Sequence, residues 1–336
     1  MTAYRNIQAS LQQQPLRWLV TGGAGFIGSH VIEKLLSIGQ SVRVFDDLST
    51  GRPANLDAVH RIVGDEAFAR CEFMNGDIRD VAACDRAVAG VDRVIHLAAM
   101  GSVPLSMDKP ADCHAINVTG TMNIFLAAHR AGVKRVTYAS SSAVYGDDAL
   151  ETKREESIGK CLSPYAASKR MNEIYAQTFG TCFGLEAVGF RYFNVFGPRQ
   201  DPKGAYAAVI PQWVVAMKAG EDVFINGDGG NTRDFCFVRD IVQANILGAM
   251  TDNSAAFGNV FNVGLGKATS LNELFTILQT LVGEETGRPV PDVIYRDFRP
   301  GDIRHSCADS SKICQLLKFL PEHGVMEGLR ATVASF

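Results

Sequence analysis

A phenol and an amine stand four residues apart in Tyr165-Ala166-Ala167-Ser168-Lys169, so a helix through this segment projects both from one face. An ammonium beside a phenol favours phenolate and draws a pKa of about 10 towards neutrality. Such a group is a general base for an alcohol undergoing oxidation. Upstream, Ala139-Ser140-Ser141-Ser142-Ala143-Val144-Tyr145-Gly146 supplies hydroxyls that could pass the proton on. Each feature alone is ordinary, since such pairs are common on helix surfaces and serines form turns. Together they make Ser141, Tyr165 and Lys169 a candidate proton relay.

A second group suits phosphate. Gly22, Gly25 and Gly28 in Thr21-Gly22-Gly23-Ala24-Gly25-Phe26-Ile27-Gly28 follow an apolar run and open a helical pattern. Gly22 permits a tight turn, Gly25 lets backbone approach a pyrophosphate, and Gly28 allows helix–strand packing. The helix N-terminus adds amides and a positive dipole end. Asp46 lies about 20 residues on, where a carboxylate takes ribose hydroxyls and repels a 2′-phosphate, favouring NAD over NADP. Its bland alternative is a strand-end turn acid. Asp77, in Gly76-Asp77-Ile78-Arg79, closes the next strand where an adenine edge could be met.

These groups need a scaffold, and the N-terminal half alternates strands with helices. Strands are expected at residues 16–21, 41–45, 71–75, 93–97, 135–140 and 186–190. Helices are expected at 26–38, 81–88, 111–131 and 164–179. Such short connections imply right-handed crossovers and a parallel sheet. Beyond Asn194 come a polar loop at 197–204, a helix at 205–219, a turn-rich stretch at 226–234, and a strand at 260–263 able to rejoin the sheet. No repeat or flexible linker appears, so a second domain is a cap interwoven with the first.

Composition narrows the class. The chain has 336 residues, with 33 Lys+Arg against 36 Asp+Glu, a net charge of −3 that argues against nucleic acid or anionic membrane as partner. No apolar run reaches the roughly 18 residues of a membrane span. The polar first 14 residues are no signal peptide. Eight cysteines form no C-x-x-C and read as reduced, buried hydrophobes, and seven scattered histidines make no metal pair. A cytoplasmic protein without a structural metal is expected.

The chain resembles the extended short-chain dehydrogenase/reductase family over residues 16–320. The resemblance rests on the glycine fingerprint, Asp46, Asp77, His96-Leu97-Ala98-Ala99, Asn117, the serine cluster, Tyr165/Lys169 and Arg191-Tyr192-Phe193-Asn194. It implies an α/β fold, a Rossmann-type doubly wound parallel sheet with a smaller interwoven C-terminal α/β substrate domain. The implied division is an NAD domain, residues 1–194 with 235–267 returning to it, and a nucleotide-sugar domain, 195–234 and 268–336. NAD contacts implied are Gly22, Gly25, Phe26, Ile27, Gly28, Asp46, Asp77 and Ile78. Further along they are Leu97, Ala98, Ala99, Asn117, Tyr165, Lys169 and Phe193. A homodimer through two helices per subunit is also implied.

Within the family, dehydratases and decarboxylases keep an acid in the hydroxyl cluster. Here Ser141, Ser142 and Ala143 stand there, leaving 4-epimerisation of a UDP-hexose. Substrate contacts implied are Ser141, Ser142, Asn194, Val209, Asn226 and Arg233, with Arg299 clamping phosphate and Asp302 taking the uridine ribose. Ser306 replaces a bulky Tyr that crowds C2 in plain-hexose enzymes, which implies UDP-GlcNAc/UDP-GalNAc interconversion for bacterial surface polysaccharide. Gly101-Ser102-Val103-Pro104, Arg199-Gln200-Asp201-Pro202 and the segment 204–211 point the same way. The uronic-acid forms UDP-GlcNAcA/UDP-GalNAcA, the plain pair UDP-Glc/UDP-Gal and a silent NAD-binding scaffold are the alternatives. Asp47 departs from the family's usual Asn.

Overall fold

A computed structural model of the protein describes residues 2–203, 207–298 and 303–336. Its main sheet has seven parallel strands: β1 (Arg17–Thr21), β2 (Ser41–Asp46), β3 (Cys71–Asn75), β4 (Arg93–His96), β5 (Arg135–Ser141), β7 (Glu186–Tyr192) and β11 (Val260–Val263). Their order is β11-β7-β5-β4-β1-β2-β3, which reverses direction between β1 and β4. A doubly wound sheet opens a crevice at that reversal, outside the carboxyl ends of its strands. Trp18, Leu19 and Val20 of β1 are completely buried, as a central strand covered on both faces must be.

The second layer is smaller. β10 (Thr232–Phe237) pairs with β12 (Ala268–Ser270), with β14 (His305–Ala308) and with β8 (Asn194–Phe196), and β14 continues to β6 (Thr152–Lys153). β9 (Val223–Asn226) and β13 (Val293–Arg296) form a separate parallel pair. Two segments cross the expected domain division. β6 joins the smaller sheet, whereas Ile313, Leu317 and Phe319 pack into the core that holds Trp18 and Val20.

Local sequence explains the helix that carries Tyr165. Ser163 caps Pro164–Phe183 by accepting from the Ala166 amide, Pro164 occupies the first turn, and Gly184 ends it in the left-handed region. The helix runs four residues past its expected end. The helix expected over 111–131 runs continuously over residues 110–130, with a wide π-turn at Ala115–Thr119 between Pro110–His114 and Gly120–Arg130. The widened turn aims the Asn117 amide at Met100 while Thr121 still reaches His96. The 205–219 helix begins at Val209. The polar N-terminus forms a helix, Ala3–Gln13, burying Tyr4 and Leu11. Among the described residues no helix is long and apolar enough to cross a membrane.

Candidate active site

The strand ends line one cleft in the order the sheet dictates. From the β3 side its wall is built by Asp77, Asp46, Gly22, Leu97, Ser141 and Phe193, following β3, β2, β1, β4, β5 and β7. Five strand spacings of about 4.8 Å carry it roughly 24 Å. The cavity is about 860 Å³, within the roughly 300–1,000 Å³ of ligand sites. Gly25, Phe26, Ile27, Gly28, Ile78, Ala98, Ala99, Tyr165 and Lys169 also line it.

Two glycines shape its floor. Gly22 has φ +68°, and a Cβ there would lie 2.7 Å from the Ala98 amide nitrogen. At Gly28 a Cβ would come within 2.2 Å of the Gly22 carbonyl oxygen. Only glycine permits this turn. Asp46 holds the far side, its carboxylate accepting from the Ala24 and Leu48 amides, both at 2.9 Å. Burial raises the Asp46 pKa, and these two hydrogen bonds oppose the rise. Asp77 is bound by Arg79, whose side chain holds the carboxyl below its usual range. A clear backbone floor under a helix N-terminus, with a carboxylate one strand away, fits a dinucleotide.

Beneath the floor runs a buried chain that the sequence did not single out for a role. Thr121 Oγ1 donates to the Asn117 carbonyl at 2.6 Å and accepts from Asn172 Nδ2 at 3.1 Å. It stands 2.9 Å from His96 Nε2, so that nitrogen must carry the proton. His96 Nδ1 then accepts from Thr21 Oγ1 at 2.7 Å, and Thr21 accepts from the Leu97 and Ala98 amides at 3.1 Å. Burial, then the Lys169 charge, lowers the His96 pKa to about 3, keeping the ring neutral. The chain fixes the Leu97–Ala98 turn.

At the other end, Tyr165 and Ser141 line the cleft together, and Lys169 Nζ donates to the Ala139 carbonyl at 3.0 Å. Lys169 Nζ lies 5.8 Å from the Tyr165 ring centroid. The spacing argument expected a lowered phenol pKa, but burial raises it, with Ser141 opposing. The ammonium is itself desolvated, its pKa pulled down to about 8, and points at a carbonyl. Asn117 does not line the cleft. Its amide grips Met100 N at 2.7 Å and Ser168 Oγ at 2.9 Å, and Ser168 donates to the Tyr165 carbonyl.

A second cavity of about 490 Å³ adjoins the cleft, sharing Val195, Gln200, Ala207 and Ala208 with it. Asn194, Val209, Asn226 and Arg233 line it. Ser306 lines neither cavity but is the ladder partner of Arg233 across the β10–β14 pair. Ser142 begins the turn after β5 and also stays off both walls. Arg299 and Asp302 lie outside the described residues. Sequence reasoning missed Ser49, Thr50 and Gly51, which close over Asp46. Their only signal was a Ser-Thr-Gly turn after the ribose acid.

Comparison with known proteins agrees with this geometry. The profile of the NAD dependent epimerase/dehydratase family matches residues 18–264. A UDP-N-acetylglucosamine 4-epimerase from Methanobrevibacter ruminantium M1, solved in complex with UDP-N-acetylmuramic acid, is 38% identical. Its TM-score is 0.86, over 96% of this chain and 98% of that one. A UDP-glucose 4-epimerase from Mycolicibacterium smegmatis is 37% identical over 326 residues, 96% of this chain and 98% of its own. The UDP-glucose 4-epimerase of Thermus thermophilus, solved in complex with NAD, is 33% identical with a TM-score of 0.81, over 95% and 98% of the two chains. Fold, glycine turn and full-length similarity together place this chain in the NAD dependent epimerase/dehydratase family.

Proposed function

We propose that the protein is an NAD-dependent 4-epimerase of UDP-N-acetylhexosamines, interconverting UDP-GlcNAc and UDP-GalNAc. The observation that carries the reading is the convergence of Ser141, Tyr165 and Lys169 on one cleft, in a hydroxyl segment that lacks a carboxylate. NAD, when bound, supplies a reversible hydride acceptor. Tyr165 takes the proton from the sugar 4-hydroxyl, and Ser141 hydrogen-bonds the 4-oxygen and relays that proton. Lys169 would hold the cofactor ribose. After the 4-keto sugar turns over and presents the opposite face of C4, Tyr165 returns its proton to the 4-oxygen; the hydride given up at C4 is taken back there, so no net redox results.

Asn194, Val209, Asn226 and Arg233 line a cavity suited to the nucleotide, and the family resemblance assigns phosphate to Arg299 and the uridine ribose to Asp302. Guanidinium groups fit diphosphate through paired N–H donors. Ser306, beside Arg233, leaves room for an N-acetyl group at C2. A plain-hexose reading, UDP-Glc/UDP-Gal, is favoured instead by the Mycolicibacterium relative. Proton NMR of purified enzyme with NAD and each UDP-sugar decides between them through the sugar H4 coupling. Absence of a galacto product from UDP-GlcNAc sinks the first reading.

Met171, Ile174, Tyr175 and Phe183 leave apolar surface exposed on the Tyr165 helix, supporting a homodimer through that face. Light scattering tests it. A cytoplasmic place in surface-polysaccharide synthesis follows from such a substrate.

A further inference from the structure

Tyr165, Lys169 and Glu173 recur every four residues and form one stripe on the 164–183 helix. Each meets the end of β5. Tyr165 lines the cleft beside Ser141, Lys169 Nζ donates to the Ala139 carbonyl, and Ser140 Oγ donates to Glu173 Oε1 at 2.6 Å. The first two contacts face the cleft; the third lies behind it, with Glu173 only 1% exposed. Its carboxylate is fully engaged. Oε1 also accepts Arg191 Nε, and Oε2 accepts Arg191 Nη2 and Arg170 Nη1, all at 2.8 Å. Arg191, buried on β7, also donates to the Glu155 carbonyl at 3.1 Å. Burial penalises the Glu173 carboxylate, but Arg191, Ser140 and Arg170 outweigh it and hold its pKa low.

Apolar packing could replace a buried ion pair without loss of stability, so stability is a poor account of this one. Its distinctive property is geometric, because it ties the helix, β5 and β7 at one point. Ser140 is adjacent to Ser141 and cannot move without it.

We propose that Glu173 is a positioning residue for the 4-epimerisation argued above, holding Ser140 so that Ser141 keeps its place in the cleft beside Tyr165. The inference rests on the proton relay assigned to Ser141 and Tyr165. Its consequence has a sign. Moving Ser141 away raises the phenol pKa, since Ser141 lowers it. Losing the Glu173 charge alone does the reverse, because Arg191 and Arg170 become net cations and cations favour phenolate. The ionisable neighbours of Tyr165 are Lys169 on its own helix and Cys113 from the 110–114 helix. Those of Glu173 are Arg170, Arg191, Tyr138 on β5 and Cys161.

The test titrates the Tyr165 phenol by ultraviolet difference absorbance in NAD-loaded protein without sugar, with Tyr165→Phe as spectral blank. Glu173→Gln keeps the shape and removes the charge, whereas Ser140→Ala removes the link and keeps every charge. Ser140→Ala is expected to raise the phenol pKa by about half a unit or more, whereas Glu173→Gln, which keeps the shape and frees the arginine charge, is expected to lower it. Turnover of UDP-GlcNAc is expected to fall about tenfold to hundredfold in kcat, with KM nearly unchanged. A phenol pKa unchanged or lowered in Ser140→Ala overturns the proposal, and this variant decides even where Glu173→Gln does not fold. If the unmodified enzyme turns over no UDP-sugar yet Ser140→Ala raises the phenol pKa, the positioning stands and the substrate reading fails.

Discussion

Arg233 and Ser306 are direct neighbours across the parallel β10–β14 pair, so their side chains leave the sheet on the same face. The register is locked from behind by Asp234, whose buried carboxylate accepts from the Leu265 amide at 2.8 Å, Gly266 at 2.9 Å and Ala308 at 3.1 Å. A bulky side chain at 306 therefore cannot slide away from the Arg233 cavity. Ser306→Tyr is expected to lower kcat/KM for N-acetylated substrates at least about tenfold while largely sparing UDP-Glc. Parallel assays with both sugars check this, and equal loss on both refutes the steric argument.

Tyr165→Phe deletes the proposed proton carrier and keeps the ring that lines the cleft. The turnover expected is about 10²–10⁴-fold lower, the usual range for a lost general base. Cofactor content, read after denaturation, should be unchanged. Retained activity removes Tyr165 from that role.

Gly28→Ala inserts a methyl that would sit 2.2 Å from the Gly22 carbonyl and 2.7 Å from Gly23 Cα. Backbone must give way, since neither atom is the tip of a flexible side chain. A stability loss of about 1–3 kcal/mol is expected, together with weaker NAD binding. Thermal melts with and without NAD measure both, and a normal cofactor-induced rise in Tm would contradict the cradle.

His96 makes stability depend on acid. Its folded pKa is near 3 against an ordinary 6.5, so below pH 6.5 the unfolded chain takes up a proton that the native ring refuses. Stability from this group is therefore complete above pH 6.5 and drains away as the pH falls towards 3, by about 1.4 kcal/mol per unit. His30, held 2.8 Å from the Pro198 carbonyl and also lowered to about 3, adds a second such slope. In His96→Gln the pH dependence of unfolding should lose one of the two. Curves for variant and parent that run parallel from pH 7 to about 4 exclude this assignment.

Features that reside within one element were readable from the chain. Residues 71–75 and 81–88 form their elements at the expected bounds, and Gly22, Asp46, Tyr165 and Lys169 reach one cleft. Spacing along a strand or helix is enough for such placements. The His96 chain draws Thr21, Thr121 and Asn172 from three further elements, and no local pattern connects them. The π-turn at 115–119 escaped because its cause, the grip of Asn117 on Met100 and Ser168, is tertiary. The phenol pKa went the other way because spacing places two charges but not the water removed around them.

The path of the chain also governs how the protein can be made. β11 completes the main sheet only after residue 263 is available, and Phe319 shares a core with Trp18. A ribosome must thus have released the chain through Phe319 before that core is complete. Until residue 263 is available the β7 edge lacks its β11 partner. Truncation before Ile313 should yield an insoluble product rather than a smaller working enzyme.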